Sequence, residues 1–471
     1  MQPLRHSSLL SIAAILAVNV NAGFWRMNCG RILTGRVDPV VNPGAISSHV
    51  HNMVGGYNIG INSTYEQMLD SKCTSCEIAA DKSAYWTPQL YYQYSNGTFQ
   101  DVPNGGMTAY YLGRGDDLKN VKPFPPGFKM LSGNTAARSY DNATKTWNGG
   151  RPIADRVSFV CLASQQYPEE YGMKYSTECD LIRAQLQMPS CWDGVNAYKS
   201  DNSHVAYLSQ IDNGACPPTH PVLHIHLFYE VYYDAKSVKA PGGKFVFANG
   251  DTTGYGFHGD FVNGWDNSVL TSALGSCAQD GNGSGQISDC PPLAAVNTKE
   301  TRNCPERPAL INEPVKGLLD KLPGCNVVTS GPASASQSQM TCDSSTSPPS
   351  MNPFVLSRAD EAPAIPPLNV TKNGWQYVGS ANEPSGGRAF TKASTADSAM
   401  TIEKCQQFCL SKSLSLAGVE YGAECYCDTQ LGAGSSLSTN GSTALNSMIC
   451  AGNGSQFCGG PSRLMVFQKV N

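Results

Sequence analysis

Residues 400–409 read Met-Thr-Ile-Glu-Lys-Cys-Gln-Gln-Phe-Cys, residues 417–427 read Ala-Gly-Val-Glu-Tyr-Gly-Ala-Glu-Cys-Tyr-Cys, and residues 450–460 read Cys-Ala-Gly-Asn-Gly-Ser-Gln-Phe-Cys-Gly-Gly. The first stretch predicts a helix over residues 401–411, and Cys405 and Cys409, four residues apart, then lie on one face of it. Cys425 and Cys427 are two residues apart, and cysteines so close rarely pair with each other. The three stretches predict a small α+β module held together by disulfides.

Together with Gly-Trp-Gln-Tyr-Val-Gly-Ser at residues 374–380, these stretches resemble a WSC domain, a disulfide-stapled module that in fungi binds cell-wall polysaccharide. The resemblance implies that aromatic side chains bind a glucan or xylan-like chain, since flat rings suit the C–H faces of sugars. Candidates for this role are Tyr377, Tyr421 and Tyr426. By the alternative interpretation Tyr426, like Trp375, belongs to the core of the module.

The same resemblance implies a missing disulfide. The family pattern has cysteines at two positions where this chain has Ser380 and Asn446. Because both cysteines are absent together, we infer that they form one bridge in relatives and were lost as a unit here. By the usual loop argument the module loses about 2–4 kcal/mol of stability.

A composition shift divides the chain. Residues 330–368 are rich in Ser, Pro and Ala, and such a segment cannot bury enough apolar surface to fold, so it predicts a semi-extended linker. We divide the chain into a signal peptide (residues 1–22), a large domain (23–329), a Ser/Pro-rich linker (330–372) and the WSC-like module (373–469).

The N-terminus is typical of a secretory signal peptide. Arg5 precedes about ten apolar residues, and small residues before Gly23 offer a cleavage site. The apolar run is shorter than the roughly 20 residues of a membrane span, and no later stretch predicts one. The even number of cysteines, 18, predicts disulfides in an exported chain, and the Asn-x-Ser/Thr sequons predict glycans. We therefore predict a secreted protein, extracellular or held in the cell wall.

The charge of the chain argues against nucleic acid as a partner. The formal net charge is −4, and no basic patch is interleaved with aromatic residues. Polysaccharide remains the predicted partner.

Short alternating or aromatic runs, separated by Gly, Pro and Asn clusters, dominate the large domain. They predict a mainly β fold, a large β-sandwich or jelly-roll-like domain with few helices. The runs cover residues 85–94, 107–112, 156–162, 205–208, 222–233 and 244–247. Helices are predicted only over residues 265–277 and 311–322.

Histidines in three stretches of the large domain carry the chemical prediction. The stretches include Ser-Ser-His-Val-His (47–51), Cys-Trp-Asp-Gly (191–194) with Ser-His-Val-Ala-Tyr (203–207), and Gly-Phe-His-Gly-Asp-Phe (256–261). Residues two apart on a strand share a face, so the two members of each His-x-His or His-x-Asp pair project together. The predicted catalytic residues are His49, His51, His204, His258, Asp260, Asp38 and Asp193, the predicted metal ligands are His49, His51 and His258, and the predicted sugar-stacking residues are Trp192 and Trp265.

Two chemistries and a structural alternative fit these residues. Two histidines with a third histidine or a carboxylate can hold a divalent metal ion with an open position. Without a metal, an aspartate can act as general acid or base beside a histidine that tunes its pKa. The alternative is that such histidines are satisfied within the fold, an interpretation we prefer for His224 and His226, which lie between apolar neighbours.

The Ser-His-Val-His, Cys-Trp-Asp-Gly, Ser-His-Val-Ala-Tyr and His-Gly-Asp-Phe signatures resemble a fungal secreted family of unknown function that is often fused to WSC modules. The resemblance covers about residues 24–277 and implies no activity.

Three functions therefore remain open. The first is a carbohydrate-active enzyme, a glycosidase or lyase, which we slightly prefer. The others are a non-catalytic wall-binding protein and a metal-dependent enzyme that uses the histidine cluster. Motifs of common alternatives are missing from the sequence, namely Gly-x-Ser-x-Gly, His-Glu-x-x-His and a phosphate loop.

Overall fold

The structure is a computed structural model that describes residues 23–279, 283–298, 304–336, 350–351, 366, 368–384, 386–397, 399–439, 448–460 and 462–470. The predicted signal peptide, much of the predicted linker and Asn446 lie outside the described residues. Within them, no helix is long and apolar enough to cross a membrane.

Strands dominate the described residues. The α-helices are α1 (Tyr65–Leu69), α2 (Asn267–Ala273), α3 (Pro291–Ala294) and α4 (Ile402–Ser411). The strands before the linker are β1 (Phe24–Gly35), β2 (His51–Gly55), β3 (Ala84–Pro88), β4 (Leu90–Gln93), β5 (Phe99–Asp101), β6 (Gly106–Leu112), β7 (Lys129–Gly133), β8 (Val157–Leu162), β9 (Leu181–Gln187), β10 (Cys191–Trp192), β11 (Val205–Ala206), β12 (Val222–Leu223), β13 (His226–Tyr233), β14 (Lys244–Phe247), β15 (His258–Val262), β16 (Ser284–Gly285), β17 (Ile311–Asn312) and β18 (Leu318–Leu319). The remaining strands are β19 (Ser350–Met351), β20 (Thr371–Lys372), β21 (Trp375–Asn382), β22 (Ala393–Ala396), β23 (Leu416–Glu420), β24 (Glu424–Asp428), β25 (Leu437–Ser438), β26 (Ile449–Cys450), β27 (Asn453–Phe457) and β28 (Arg463–Lys469).

One ten-stranded sheet organises the large domain. Its strand order is β7-β15-β3-β2-β1-β6-β13-β9-β8, and β16 pairs in parallel with β1. The sheet curls until its ends approach, since Ser132 Oγ on β7 donates to the carbonyl of Gln187 on β9 over 2.7 Å. The large domain is therefore close to a barrel, and it has an inner and an outer face.

The inner face of this sheet builds the main core. Alternate side chains such as Trp25, Tyr111 and Tyr229 are fully buried there. A second sheet, in the order β14-β4-β5-β18, adds Tyr92 and Phe247 to the same core. The prediction of a mainly β domain with few helices is confirmed.

One of the two predicted helices is wrong. Residues 265–277 do contain α2, which Asp266 caps by accepting the Ser268 N–H over 2.9 Å. Residues 311–322 form only the two-residue strands β17 and β18. Pro314 lies between them without an N–H to donate, and Gly317 adopts a φ of 79°, a left-handed conformation that ends a helix.

The disulfide prediction is confirmed where the structure describes both partners. The bridges in the large domain are Cys29–Cys76, Cys73–Cys304, Cys161–Cys179, Cys191–Cys216 and Cys277–Cys290. Those in the C-terminal module are Cys405–Cys425, Cys409–Cys427 and Cys450–Cys458.

The C-terminal module is α+β, as predicted. Its sheet has the order β20-β21-β28-β23-β24-β22, and β25 pairs with β21. Two disulfides bind α4 to β24, so the cysteine face of the helix is its buried face. Ser380, one of the two positions where the family pattern has cysteine, is fully buried and its hydroxyl lies 3.0 Å from that of Tyr377.

Candidate metal centre

The register of three strands brings two histidines to one place. His51 begins β2 and His258 begins β15, and β3 pairs with both strands from between them. On one side of β3, His51 is level with Pro88. On the other side, Asp260 is level with Trp86. Continuing this second register by two residues places His258 level with Pro88 as well. Residues level across a sheet share a face. The two imidazoles therefore project to one side, over a short proline side chain.

Three imidazoles converge at this point. The Nε2 atom of His258 lies 2.8 Å from Nε2 of His49 and 3.3 Å from Nε2 of His51. One nitrogen from each ring lies within 4.8 Å of the other two. All three rings are buried, at 5% exposure for His49 and His258 and 0% for His51.

Hydrogen bonds at the opposite ring nitrogens fix two of the three tautomers. Nδ1 of His51 lies 2.9 Å from the Val37 carbonyl, and Nδ1 of His258 lies 2.9 Å from the Gly256 carbonyl. A carbonyl only accepts, so each Nδ1 carries the proton and each Nε2 of a neutral ring presents a lone pair. His49 Nδ1 faces the Ser48 hydroxyl at 2.9 Å, a partner that can donate or accept.

Burial keeps these rings neutral. It lowers the pKa of His51 to about 4. Burial, followed by the charge of His51, lowers the pKa of His258 to about 4. The pKa of His49 falls well below its ordinary value, again first through burial and then through the other two rings. Near neutral pH, a proton shared between two of these imidazole rings is therefore disfavoured.

A cleft leads to His49. It encloses a cavity of about 60 Å³ and is lined by Ser48, His49, Thr135, Ala136, Arg138, Asn249, Asn326, Val327, Ala335 and Ser336. The Asn249 side chain donates to the Thr135 and Gly256 carbonyls, while its buried Oδ1 has no partner. A volume of about 60 Å³ holds a few water molecules.

A buried ion pair supports the cleft. Arg138 Nε lies 3.6 Å from Asp251 Oδ1, with both side chains at 1% exposure or less. The guanidinium also donates to the carbonyls of Thr135 and Asn249. Asp251 Oδ2 accepts the Gly256 N–H over 2.7 Å, and the Gly256 carbonyl in turn orients His258. This chain of contacts positions the His258 ring.

Two predicted carboxylates lie near the histidines but are buried. Asp38 Oδ1 accepts the N–H groups of Val40 and Val41, and burial raises its pKa despite these bonds and the nearby His258. Asp260 is 2% exposed and its Oδ1 has no partner. Burial, followed by the charge of Asp38, raises the pKa of Asp260 well above its ordinary value. Neither carboxylate lines the described cleft.

The middle stretch is not part of the cluster. His204 is fully buried, and its Nε2 bonds the Lys129 carbonyl at 2.7 Å. Asp193 accepts the N–H groups of Val195 and Asn196 and so holds a turn, and the bonds from Asn196 contribute to a lowered pKa. His204 and Asp193, both predicted as catalytic residues, therefore lie outside the group formed by His49, His51 and His258.

The two tryptophans predicted to stack on sugars pack against the core of the large domain instead. Trp265 is fully buried and donates to the Tyr111 hydroxyl over 2.7 Å, which corrects the prediction that it stacks on a sugar. Trp192 is partly buried, stacks on His224 at 5.3 Å and donates to the Asn196 carbonyl. His226 is held between Ser190 Oγ and Gln187 Oε1, in line with the packing role preferred for His224 and His226.

In the C-terminal module one predicted aromatic residue remains well exposed. Tyr421 is 42% exposed, at a φ of 50°. Tyr426 is half-buried, with the Arg388 guanidinium 4.6 Å above its ring and its hydroxyl bonded to Glu424. Tyr377 is 1% exposed, so its predicted contact with sugar is corrected to a core position.

Sequence reasoning missed the residues that support the cluster. Arg138 and Asp251 carry no motif of their own. Gly133 is level with His258 on β7, has a φ of 106°, and a Cβ there would lie 2.5 Å from the His258 Cβ. The available signal was the glycine-rich run at residues 250–259, which forms the turn whose Gly256 carbonyl orients His258.

Comparisons with known proteins match two separate parts of the chain. Residues 38–265 match the family described as Domain of unknown function (DUF1996), and residues 377–460 match the WSC domain. A WSC domain-containing protein of Arthroderma benhamiae is 38% identical over 106 residues, which are 22% of this chain and 11% of the relative. A protein of Chaetomium globosum, whose name provisionally describes it as a fungistatic metabolite, is 36% identical over 110 residues, 23% of this chain and 46% of the relative.

The chain thus spans less than half of the length of these relatives. The WSC domain indicates carbohydrate binding, and the many disulfides are consistent with an extracellular protein. The chain joins a DUF1996 domain to a WSC domain that follows it in sequence.

Proposed function

We propose that this chain is a secreted, polysaccharide-directed enzyme whose His49, His51 and His258 hold a divalent metal ion at the floor of the cleft. The WSC domain keeps the protein on a glucan or xylan-like polymer, of the plant or the cell wall, while the DUF1996 domain acts on it. A second module on the same chain raises the effective concentration of the first at the polymer surface.

The facing lone pairs of His51 and His258 carry the proposal. Both Nδ1 atoms face carbonyls, so both Nε2 atoms are acceptors, yet they lie 3.3 Å apart. Two lone pairs at this distance repel unless a cation lies between them, and burial disfavours a proton. Tetrahedral Zn²⁺ with Zn–N bonds of about 2.0–2.1 Å sets its nitrogens about 3.3 Å apart. His49 Nε2, at 2.8 Å from His258, needs only a small outward shift to become the third ligand.

Three protein ligands leave a coordination position for water or substrate, as in catalytic zinc sites. A metal ion in such a position polarises a bound oxygen or lowers the pKa of a bound water. Imidazole ligands suit Zn²⁺, Cu²⁺, Fe²⁺ and Ni²⁺. The metal analysis described below identifies which of these ions is bound. His49 is among the residues that line the cleft, so the cleft is the side from which a substrate group would approach the ion.

Burial of the carboxylates favours a metal-dependent enzyme over a glycosidase that uses two carboxyl groups. That mechanism needs two carboxyl groups on either side of a sugar bond. Asp38 and Asp260 are at most 4% exposed, and Asp193 holds a turn. The metal-dependent alternative therefore takes precedence over our initial preference.

Metal analysis of the secreted, deglycosylated full chain tests the proposal. We expect one ion per chain in the wild type and loss of the ion in His51→Gln and His258→Gln. His224→Gln is the matched control, because His224 is equally buried but lies outside the cluster. The proposal is overturned if the wild type binds no ion after incubation with Zn²⁺, Cu²⁺, Fe²⁺ or Ni²⁺.

Turnover on glucan, xylan and pectin then separates an enzyme from a wall-binding protein. We expect soluble products that disappear after chelation and return with the ion. A metal-loaded chain that releases nothing from these polymers would favour the non-catalytic alternative, in which the ion is structural.

A further inference from the structure

A polar and aromatic platform covers the outer face of the large sheet, on strands that take no part in the histidine cluster. Its central row runs Asn28, Thr108, Glu230, Gln185 and Ser158, one residue from each of the strands β1, β6, β13, β9 and β8. Adjacent strands lie about 4.8 Å apart, so the row is about 19 Å long. The residues next to these along each strand, such as Met27, Ala109 and Tyr229, point into the main core.

Aromatic rings flank this row. Tyr110 and Phe228 lie level with each other on β6 and β13, with ring centroids 5.4 Å apart, and both are half-buried. Tyr232 lies on the other side of the row and is 37% exposed. The face thus offers ring surface to solvent on both sides of the row. Within the row, Asn28 and Thr108 are the accessible polar groups, since the other three residues are at most 7% exposed.

Glu230 holds the platform together. Its Oε2 accepts the Tyr110 hydroxyl over 2.7 Å and the Tyr232 hydroxyl over 3.2 Å. Its Oε1 accepts from Gln185 over 3.4 Å and lies 3.5 Å from Arg183 Nε. Glu230 is only 6% exposed, so the rings and the guanidinium cover the carboxylate. The contacts fix the directions of two tyrosine rings before any ligand arrives, which lowers the entropy cost of binding.

A recess continues the platform at one end. It has a volume of about 150 Å³, larger than the cavity beside His49, and is lined by Asn28, Cys29, Gly105, Gly106, Met107, Thr108 and Tyr232. Thr108 Oγ1 donates to Asn28 Oδ1 over 3.0 Å, which directs the exposed Asn28 amide. Hydroxyl, amide and ring therefore meet at one recess.

We propose that this platform binds a neutral polysaccharide chain, with sugar rings against Tyr232 and the Tyr110–Phe228 pair and sugar hydroxyls on Asn28 and Thr108. The chemistry favours this occupant. Aromatic faces suit the C–H faces of sugars, and amide and hydroxyl groups suit their rims. Two guanidinium groups, of Arg26 and Arg183, balance the carboxylates of Glu77 and Glu230 around the row. This balance favours a neutral polymer over an anionic or cationic one.

The platform is a site separate from the histidine cluster and from the WSC domain, and the inference does not rest on the metal ion. The large domain would then have its own binding site for the polymer, and the WSC domain would supply a second binding site. Two contacts on one polymer strengthen each other without any new interaction between the domains.

Photo-cross-linking of the full chain tests the platform directly. The probes are a xylohexaose and a β-glucan hexasaccharide, each with a diazirine group, and cross-linked peptides are mapped by mass spectrometry. We expect cross-links within residues 106–112 or 226–233, in addition to those in the WSC domain. Cross-links confined to the WSC domain or to the cleft, or none at all with either probe, overturn the proposal.

Variants keep the test specific. Tyr232→Ala should reduce cross-linking at the platform about fivefold, the loss expected for one aromatic contact of about 1 kcal/mol. Tyr232→Phe keeps the ring and should retain most of the signal. Tyr171→Ala is the matched control, because Tyr171 is 39% exposed on the same domain but off the platform. Equal loss in Tyr171→Ala would contradict the assignment.

Chelated wild-type protein separates this inference from the proposed function. The platform should still cross-link after the ion is removed, whereas turnover should stop. Loss of platform cross-links on chelation, with the fold intact by circular dichroism, would mean that the sugar is held by the metal centre instead.

Discussion

Gly133 faces His258 across the β7–β15 pair and leaves no room for a side chain. A Cβ at this position would lie 2.5 Å from the His258 Cβ, and the φ of 106° is unfavourable for any residue with a Cβ. We expect Gly133→Ala to displace His258, to abolish metal binding and to cost about 1–3 kcal/mol, as overpacking does. Metal content and urea unfolding measure the two effects.

Gly97→Ala is the control for backbone strain. Gly97 has a φ of 92°, similar to that of Gly133, but an added Cβ meets nothing within 4 Å. We expect this variant to lose some stability and to keep its metal. If both variants lose the ion equally, the contact with His258 is not the cause.

Asp260 offers a second test at the scale of one residue. Burial raises its pKa well above the ordinary value and Oδ1 has no partner, so the fold disfavours the charged carboxylate. An amide of the same shape should replace it without cost, and we expect Asp260→Asn to unfold within about 1 kcal/mol of the wild type at pH 7. Turnover should also persist, and a complete loss of turnover in a stable, metal-loaded variant would restore Asp260 as a catalytic residue.

Single residues were predictable where spacing alone decides. The two-residue period of strands holds for His258 and Asp260, which both lie on β15. His49 instead lies in the bend before β2 and reaches the other two histidines from there. His204 and Trp265 could not be placed in this way. Whether a ring faces the core or a cleft depends on which strands are neighbours, and the β15-β3-β2 order joins segments about 200 residues apart.

The N-terminal cap of helix α4 provides a test at the scale of one element. Thr401 accepts the Lys404 N–H on its side-chain oxygen over 3.1 Å and so caps the helix. We expect Thr401→Ala to destabilise the WSC domain by about 1 kcal/mol, while Thr401→Ser keeps the cap. Thermal unfolding of this domain gives the comparison, and equal losses in both variants would show that the methyl group, not the hydroxyl, matters.

The strands and helices also show where sequence patterns stop predicting secondary structure. Residues 244–247 were predicted as a strand with the bounds of β14, since alternation and flanking turns agree there. Residues 311–322 contain enough apolar residues for a helix, yet Pro314 and Gly317 divide them and short pairings with β19 and β5 take over. Tertiary pairing overrides a weak local preference, and only the sheet partners reveal it.

The molecule as a whole should respond to acid through its buried histidines. Burial lowers the pKa of His224 to about 4 and of His226 to about 3, from an ordinary value of 6.5. The unfolded chain therefore binds more protons than the folded chain between pH 6.5 and pH 4, so stability falls as the pH falls through this window. Each histidine contributes about 1 kcal/mol per pH unit. Asp81, whose pKa burial raises to about 6, acts in the opposite sense and destabilises the fold as the pH rises towards 6.

Urea unfolding of the full chain at several pH values separates these contributions. In His224→Gln/His226→Gln we expect a smaller loss of stability between pH 6.5 and pH 4, because neither position then takes up a proton on unfolding. Thr401→Ala is the control, since it lowers stability without changing a titratable group and should keep the pH dependence of the wild type. An unchanged slope in the double variant would mean that these two rings already carry a proton in the fold. The hydrogen bond of His226 to Ser190 and Gln187 would then have to be assigned to the charged ring.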